Sequence, residues 1–147
     1  MPIHRRLASF LHPCGKIKRN RQGQRKYRNK LIDKFNICPL TGVNYKLCEA
    51  AHILPYSECN NKKDKFSINN GILLSATMHK AFDRNYFTID EKTCKVKILT
   101  DNLKNDNIES EKEIGLEYKE GIYITELDNP ESKKYIKLRN NLIKNRK

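Results

Sequence analysis

Apolar positions along the chain recur with two periods, and each predicts a different element. Between Gln24 and Phe35, the residues Tyr27, Leu31, Ile32 and Phe35 share one face, while Arg25, Lys26, Arg28 and Lys30 fall elsewhere, which predicts an amphipathic helix. Upstream, Ile3, Leu7, Phe10 and Leu11 have roughly helical spacing, and His12-Pro13-Cys14-Gly15 should break any helix there. Cys38-Pro39-Leu40-Thr41-Gly42 is turn chemistry and predicts a tight reversal. A strand is expected within Tyr45 to Ile53, ending at Pro55. Ser57 to Lys65 is polar without an apolar period and reads as a loop, and Ile68 to Leu74 reads as a turn into a short apolar strand. Ser75 is a good N-cap for a helix over about Ala76 to Arg84. Tyr86–Ile89 and Cys94–Leu99 should pair across Asp90-Glu91-Lys92. The stretch from Asp101 to Leu116 is acidic and weakly patterned, whereas Gly121 to Glu126 alternates and predicts a strand. Asn129 and Pro130 open a last helix, in which Tyr135, Leu138 and Leu142 repeat at i, i+3 and i+7. With no internal repeat, the chain reads as one domain in three parts: a basic arm and helix (1–36), a core (37–90), and C-terminal strands with a basic helix (91–147).

Charge adds a partner to this outline. The 147 residues carry a formal net charge of +13. Such a surface suits a polyanion, and nucleic acid leads because neutralised phosphates release condensed counterions. The bland alternative is a Lys-rich surface from a compositionally biased genome, which the many Asn, Ile and Lys residues also fit. The basic residues cluster: from Lys16 to Lys34 the only acid is Asp33. Arg19, Arg21, Arg25, Arg28 and Lys30 from this stretch are the candidate DNA contacts, together with Arg84, whose bland alternative is a solvent-facing helix end. Lys133, Lys134, Lys137, Arg139, Lys144, Arg146 and Lys147 make the final helix a second basic element. Such charge gives affinity for phosphate and reads no base sequence. The five cysteines are odd in number and lack a Cys-x-x-Cys pair, which argues against a disulfide framework and an ordinary zinc knuckle. No apolar run nears the roughly 18 residues that would suggest a membrane span, and the N-terminus is a poor signal peptide, so the expected location is cytoplasmic.

Candidate chemistry concentrates between Cys48 and Asp83. Phosphodiester cleavage needs a nucleophile, stabilisation of charge at phosphorus and help for the leaving oxygen. A neutral imidazole can take a proton from water near neutral pH, and a divalent ion can serve as the Lewis acid. His52 at the end of a strand, with His79 and Asp83 one helical turn apart on a shared face, supplies one base and two ligands. Singly these signals are weak: a lone histidine on a strand is more often structural, a His-x-x-x-Asp pair is more often a surface hydrogen bond, and Asn70-Gly71 alone is a turn. Their order and spacing together are more specific.

Three motifs carry a resemblance: Glu49-Ala50-Ala51-His52-Ile53-Leu54-Pro55, Asn70-Gly71-Ile72-Leu73-Leu74-Ser75, and His79-Lys80-Ala81-Phe82-Asp83. The stretch resembles HNH endonucleases. Upstream, Arg21-Gln22-Gly23-Gln24, Tyr27-Arg28, Leu31-Ile32 and Cys38-Pro39-Leu40-Thr41-Gly42 look like the lead-in found in HNH domains of restriction-type enzymes, so the resemblance covers about residues 20–90. It implies an α+β fold: a ββα-metal (HNH) core with flanking basic helices and a small additional β-hairpin. It also implies catalytic assignments for His52, as the general base that activates water, and for Asn70, which braces the loop and hydrogen-bonds near the base. His79 and Asp83 become metal ligands, for one divalent ion that is normally Mg²⁺, with Mn²⁺ or another divalent ion as substitute. The implied activity is DNA endonuclease, of restriction or phage type, leaving a 5′ phosphate and a 3′ hydroxyl.

One position departs from the pattern. Many HNH enzymes place Asp or His just before the catalytic histidine as a metal ligand, and here Ala51 stands there. Glu49 is the nearest carboxylate, but strand alternation puts it on the face opposite His52. Two alternatives therefore stay open: a non-catalytic HNH-like module that binds nucleic acid, and a basic accessory protein with an inert motif. The expected partner is double-stranded DNA. Because one site cuts one strand, double-strand cleavage would take a homodimer or sequential nicking.

Overall fold

The computed structural model describes residues 14–146, with side chains from Arg21 onward. The expected helical start with Ile3, Leu7, Phe10 and Leu11, the histidines His4 and His12, and the side chains of Cys14 and Arg19 lie outside the described residues.

Helix α1 spans Cys14–Phe35 and so begins ten residues before the amphipathic pattern, with Cys14 and Gly15 in its first turn. Its apolar face is the predicted one: Tyr27, Leu31 and Phe35 are buried and Ile32 is half-buried. Gly23 lies within the helix because a Cβ there would stand 2.9 Å from the Phe66 ring. Asn36 ends the helix in the left-handed region at φ 68°, a conformation that Asn tolerates at helix ends. The Cys38–Gly42 turn forms as expected. The Gly42 amide donates to the Cys38 carbonyl at 2.8 Å, and Gly42 has φ +74°, which favours glycine.

Strand β1 is Cys48–His52, shorter than the predicted run because Tyr45–Leu47 forms a 3-10 turn. The segment expected to be a loop contains a 3-10 turn at Tyr56–Glu58 and a short helix, α2, at Lys62–Phe66. The Asn61 side chain caps α2 by accepting from the Asp64 amide at 2.8 Å, a capping signal that apolar periodicity does not contain. Strand β2, Gly71–Ser75, pairs antiparallel with β1 from Cys48 opposite Ser75 to His52 opposite Gly71. It is buried along its whole length. Ser75 then caps helix α3, Ala76–Asp83, by accepting from the Met78 amide. Met78, Ala81 and Phe82 face the core, which leaves His79 and Asp83 together on an outer face.

Strands β3 (Phe87–Ile89) and β4 (Val96–Ile98) form the expected second hairpin. Residues 100–116 hold a short helix, α4 (Thr100–Asn105), and a 3-10 turn at Glu111–Ile114, anchored by buried Leu103 and Leu116. The strand expected at Gly121–Glu126 is not one. Ile122 and Ile124 do exchange backbone bonds with Val96 and Cys94, but only an isolated bridge between Lys95 and Tyr123 forms before a 3-10 turn at Thr125–Leu127. Alternation alone records which side chains point inward, and it does not require a continued ladder.

Helix α5, Pro130–Asn145, starts at Asn129, whose side chain accepts from the Ser132 amide at 2.8 Å. Its buried face is Ser132, Tyr135, Ile136 and Arg139. Leu138, expected inward, is exposed, and Arg139, expected on the basic surface, is 4% exposed. Burial pushes the Arg139 guanidinium down to about 10, against the opposing pull of Asp83. No helix among the described residues is long and apolar enough to cross a membrane.

At Gly71 α1 packs tightly on the hairpin: a Cβ on it would fall on the Tyr27 hydroxyl and lie 2.8 Å from Leu31 Cδ1. Its backbone is extended, so space rather than conformation demands glycine. Gly71→Ala is expected to lower stability by about 1–3 kcal/mol, the scale of overpacking a filled core, in a urea titration; an unshifted midpoint would show that Tyr27 and Leu31 yield freely.

Candidate active site

An open cleft of about 1070 Å³ runs between α1, the outer side of β1 and the exposed face of α3. Arg21, Arg25 and Arg28 line it from α1, Glu49 and His52 from β1, and His79 and Asp83 from α3. One wall is thus cationic and the facing one carries two carboxylates and two imidazoles.

The His52 ring is held on three sides. Tyr27 stacks on it with centroids 4.6 Å apart and planes 19° apart, and Tyr56 meets it edge-on at 5.5 Å. Its Nε2 lies 2.5 Å from the Lys65 carbonyl oxygen. A carbonyl only accepts, so Nε2 carries the proton and Nδ1 keeps its lone pair. Burial lowers the pKa of His52 below the ordinary imidazole value; the Lys65 carbonyl opposes this, His79 adds to it and Asp83 opposes it. The ring therefore favours the neutral form that a base needs.

The brace around that ring is built from buried polar groups. Asn70 is fully buried. Its Oδ1 accepts from the Leu54 amide at 2.7 Å, and its Nδ2 donates to the carbonyls of Leu54 at 3.3 Å and Asp64 at 3.0 Å. The Tyr27 hydroxyl donates to the Asn70 carbonyl at 2.5 Å, and burial holds that hydroxyl far above its ordinary pKa, so it stays a donor. Asn70, grouped with His52 as catalytic from the sequence, does not line the cleft; it closes the loop that presents the Lys65 carbonyl.

On the far side, His79 Nδ1 lies 2.7 Å from Glu49 Oε1 and Nε2 lies 3.3 Å from Asp83 Oδ2. Glu49 and His52 both line the cleft, although strand alternation assigns Glu49 to the opposite face of β1. Ala51, on that same face, is fully buried, and Glu49 two residues earlier reaches His79 from it. An imidazole and two carboxylates are suitable donors for a hard divalent ion. As the side chains stand, each ring nitrogen is shared with one carboxylate, so an ion would have His79 and one of the two acids. Among the described residues no group of three or more His, Cys, Asp or Glu side chains is arranged as an ion cluster.

The proposed DNA contacts divide. Arg21, Arg25 and Arg28 face the cleft, and Arg28 Nη1 also donates to the Cys48 carbonyl at 2.9 Å. Lys30 and Arg84 are exposed but do not line it. The described cysteines Cys38, Cys48, Cys59 and Cys94 are all buried free thiols. Sequence reasoning missed Tyr27 as a partner of His52: its helical spacing marks burial, and nothing in that spacing marks which ring it covers.

No curated protein matches the chain. Residues 38–90 match the family model of HNH endonucleases, a span that contains β1, β2 and α3 with His52, Asn70, His79 and Asp83.

Proposed function

We propose that the protein is a metal-dependent DNA endonuclease in which His52 is the general base. The observation that carries this reading is the fixed tautomer of His52: Nε2 is engaged by the Lys65 carbonyl, leaving Nδ1 to accept a proton within the cleft. Tyr27 and Tyr56 restrict the ring, so it meets a bound water in one orientation. A divalent ion, Mg²⁺ or Mn²⁺, held by His79 with Glu49 or Asp83, would supply Lewis-acid stabilisation of charge at phosphorus and on the leaving 3′ oxygen. Arg21, Arg25 and Arg28 neutralise the phosphates that flank the scissile bond. Strands β1 and β2 with α3 correspond to the ββα core that the resemblance implies, and Glu49 takes the place left open by Ala51. Duplex DNA is the proposed substrate, the likeness of the lead-in favours a restriction or phage type, and a cytoplasmic location belongs to the same reading.

A binding module without activity is the second reading, favoured by the lack of a three-ligand cluster among the described residues. Plasmid nicking separates the two. Wild type should cut with Mg²⁺ or Mn²⁺ and stop with EDTA, and His52→Ala should lose ~10²-fold or more in rate while still binding DNA. Equal cleavage by the variant removes His52 as base, and no cleavage by wild type with any divalent ion favours the binding module.

The pH profile tests the same residue. Neutral His52 is the active form and burial favours that form, so protonation comes at lower pH than in a free imidazole. The acid limb of the cleavage rate is therefore expected below the ordinary value of 6.5; a limb above it would contradict the assignment.

Salt dependence tests the cationic wall. Replacing Arg21 and Arg25 with Gln should reduce the slope of log affinity against log salt by up to about two phosphate equivalents, and Lys30→Gln should leave it nearly unchanged. The reverse order would place the DNA outside the cleft.

A further inference from the structure

Helix α5 lies outside the family match, yet its inward side chains end on the backbone that carries the candidate site. Arg139 Nη1 donates to the Ile53 carbonyl at 3.1 Å, and Nη2 donates to the Phe82 carbonyl at 2.5 Å and to Asn85 Oδ1 at 2.9 Å. Ile53 follows His52, and Phe82 precedes Asp83. The guanidinium also lies over the Phe82 ring, 3.5 Å from its centroid. One turn earlier, the Tyr135 hydroxyl donates to Asp64 Oδ1 at 2.6 Å. Asp64 precedes Lys65, whose carbonyl holds His52, and the Asp64 carbonyl takes the Asn70 amide.

Removing a guanidinium from water is costly unless its donors are met. Here Nη1 and Nη2 are met by carbonyls from two separate segments, the residue after β1 and the end of α3, while Nε is buried without a partner. A lysine offers a compact point charge on a flexible stem and cannot reproduce a planar fork that spans both. The two carbonyls sit next to the proposed base and next to a proposed ligand, so their separation sets the separation of the two halves of the site.

We propose that Arg139 and Tyr135 are positioning residues, through which α5 fixes His52 relative to His79 and Asp83. Arg139 acts on the backbone beside both halves, and Tyr135 acts on the loop that orients the His52 ring. The inference rests on the nuclease reading, but one of its readouts does not depend on cleavage.

The test uses the full chain with Tyr135→Phe and Arg139→Lys. Histidine side-chain ¹⁵N NMR follows the His52 tautomer, and nicking with Mg²⁺ gives kcat and KM. In both variants the His52 signals should shift, and kcat should fall about tenfold or more at unchanged KM, because the arginine wall is on another helix. Wild-type His52 signals and wild-type kcat in a folded variant would overturn the proposal. Loss of fold in both variants would also overturn it, since the helix would then support the core alone; if only Arg139→Lys unfolds, Tyr135→Phe decides. Should the wild-type chain fail to cut DNA, the nuclease reading falls, and the His52 signals alone decide whether α5 positions the ring.

Discussion

A primary amide removed from water must find its partners inside the protein. Asn70 meets that constraint, and the neighbouring structure follows from how it does so. Its side chain joins Leu54 to Asp64, so the intervening segment becomes a closed loop rather than a free excursion. Its carbonyl accepts from Tyr27, which brings α1 onto the hairpin. The same tyrosine presents its ring to His52, and the closed loop presents the Lys65 carbonyl to the ring nitrogen. A polar group with no access to the cleft thereby determines the tautomer of a group inside it.

The electrostatic layout is more divided than a net charge of +13 suggests. Arginines stand along one wall, and Glu49 and Asp83 flank His79 along another. A uniformly positive cleft would repel a metal ion, whereas carboxylates beside His79 make the potential locally negative within a basic surface. Salt acts unevenly on these two regions, because charges on the exposed arginine wall are screened over about 8 Å at physiological ionic strength whereas groups in direct contact are screened much less.

Much of the core was legible because local signals agreed with one another. The α1 stripe of Tyr27, Leu31 and Phe35, the turn before β2 (Ile68–Asn70) and the Ser75 and Asn129 caps each arise within a few residues, and each appears in the structure. His52, His79 and Asp83 could be grouped because strand and helix periods bring them to one region. Other features depend on distant partners. Arg139 reads as surface charge until the Ile53 and Phe82 carbonyls are placed around it. Leu138 has the spacing of a core residue, yet the helix turns Ile136 and Arg139 inward instead. Residues 121–126 alternate like a strand, but the chain bends into a turn before a ladder can extend.

Glu49 has a consequence for how such sites are searched. A pattern written as an acidic residue directly followed by histidine passes over this chain, since Ala51 occupies the preceding position. Strand geometry makes the first and third positions before the histidine equivalent in face, and the contact between Glu49 and His79 uses the third. A pattern defined by strand face instead of adjacency would retain this chain.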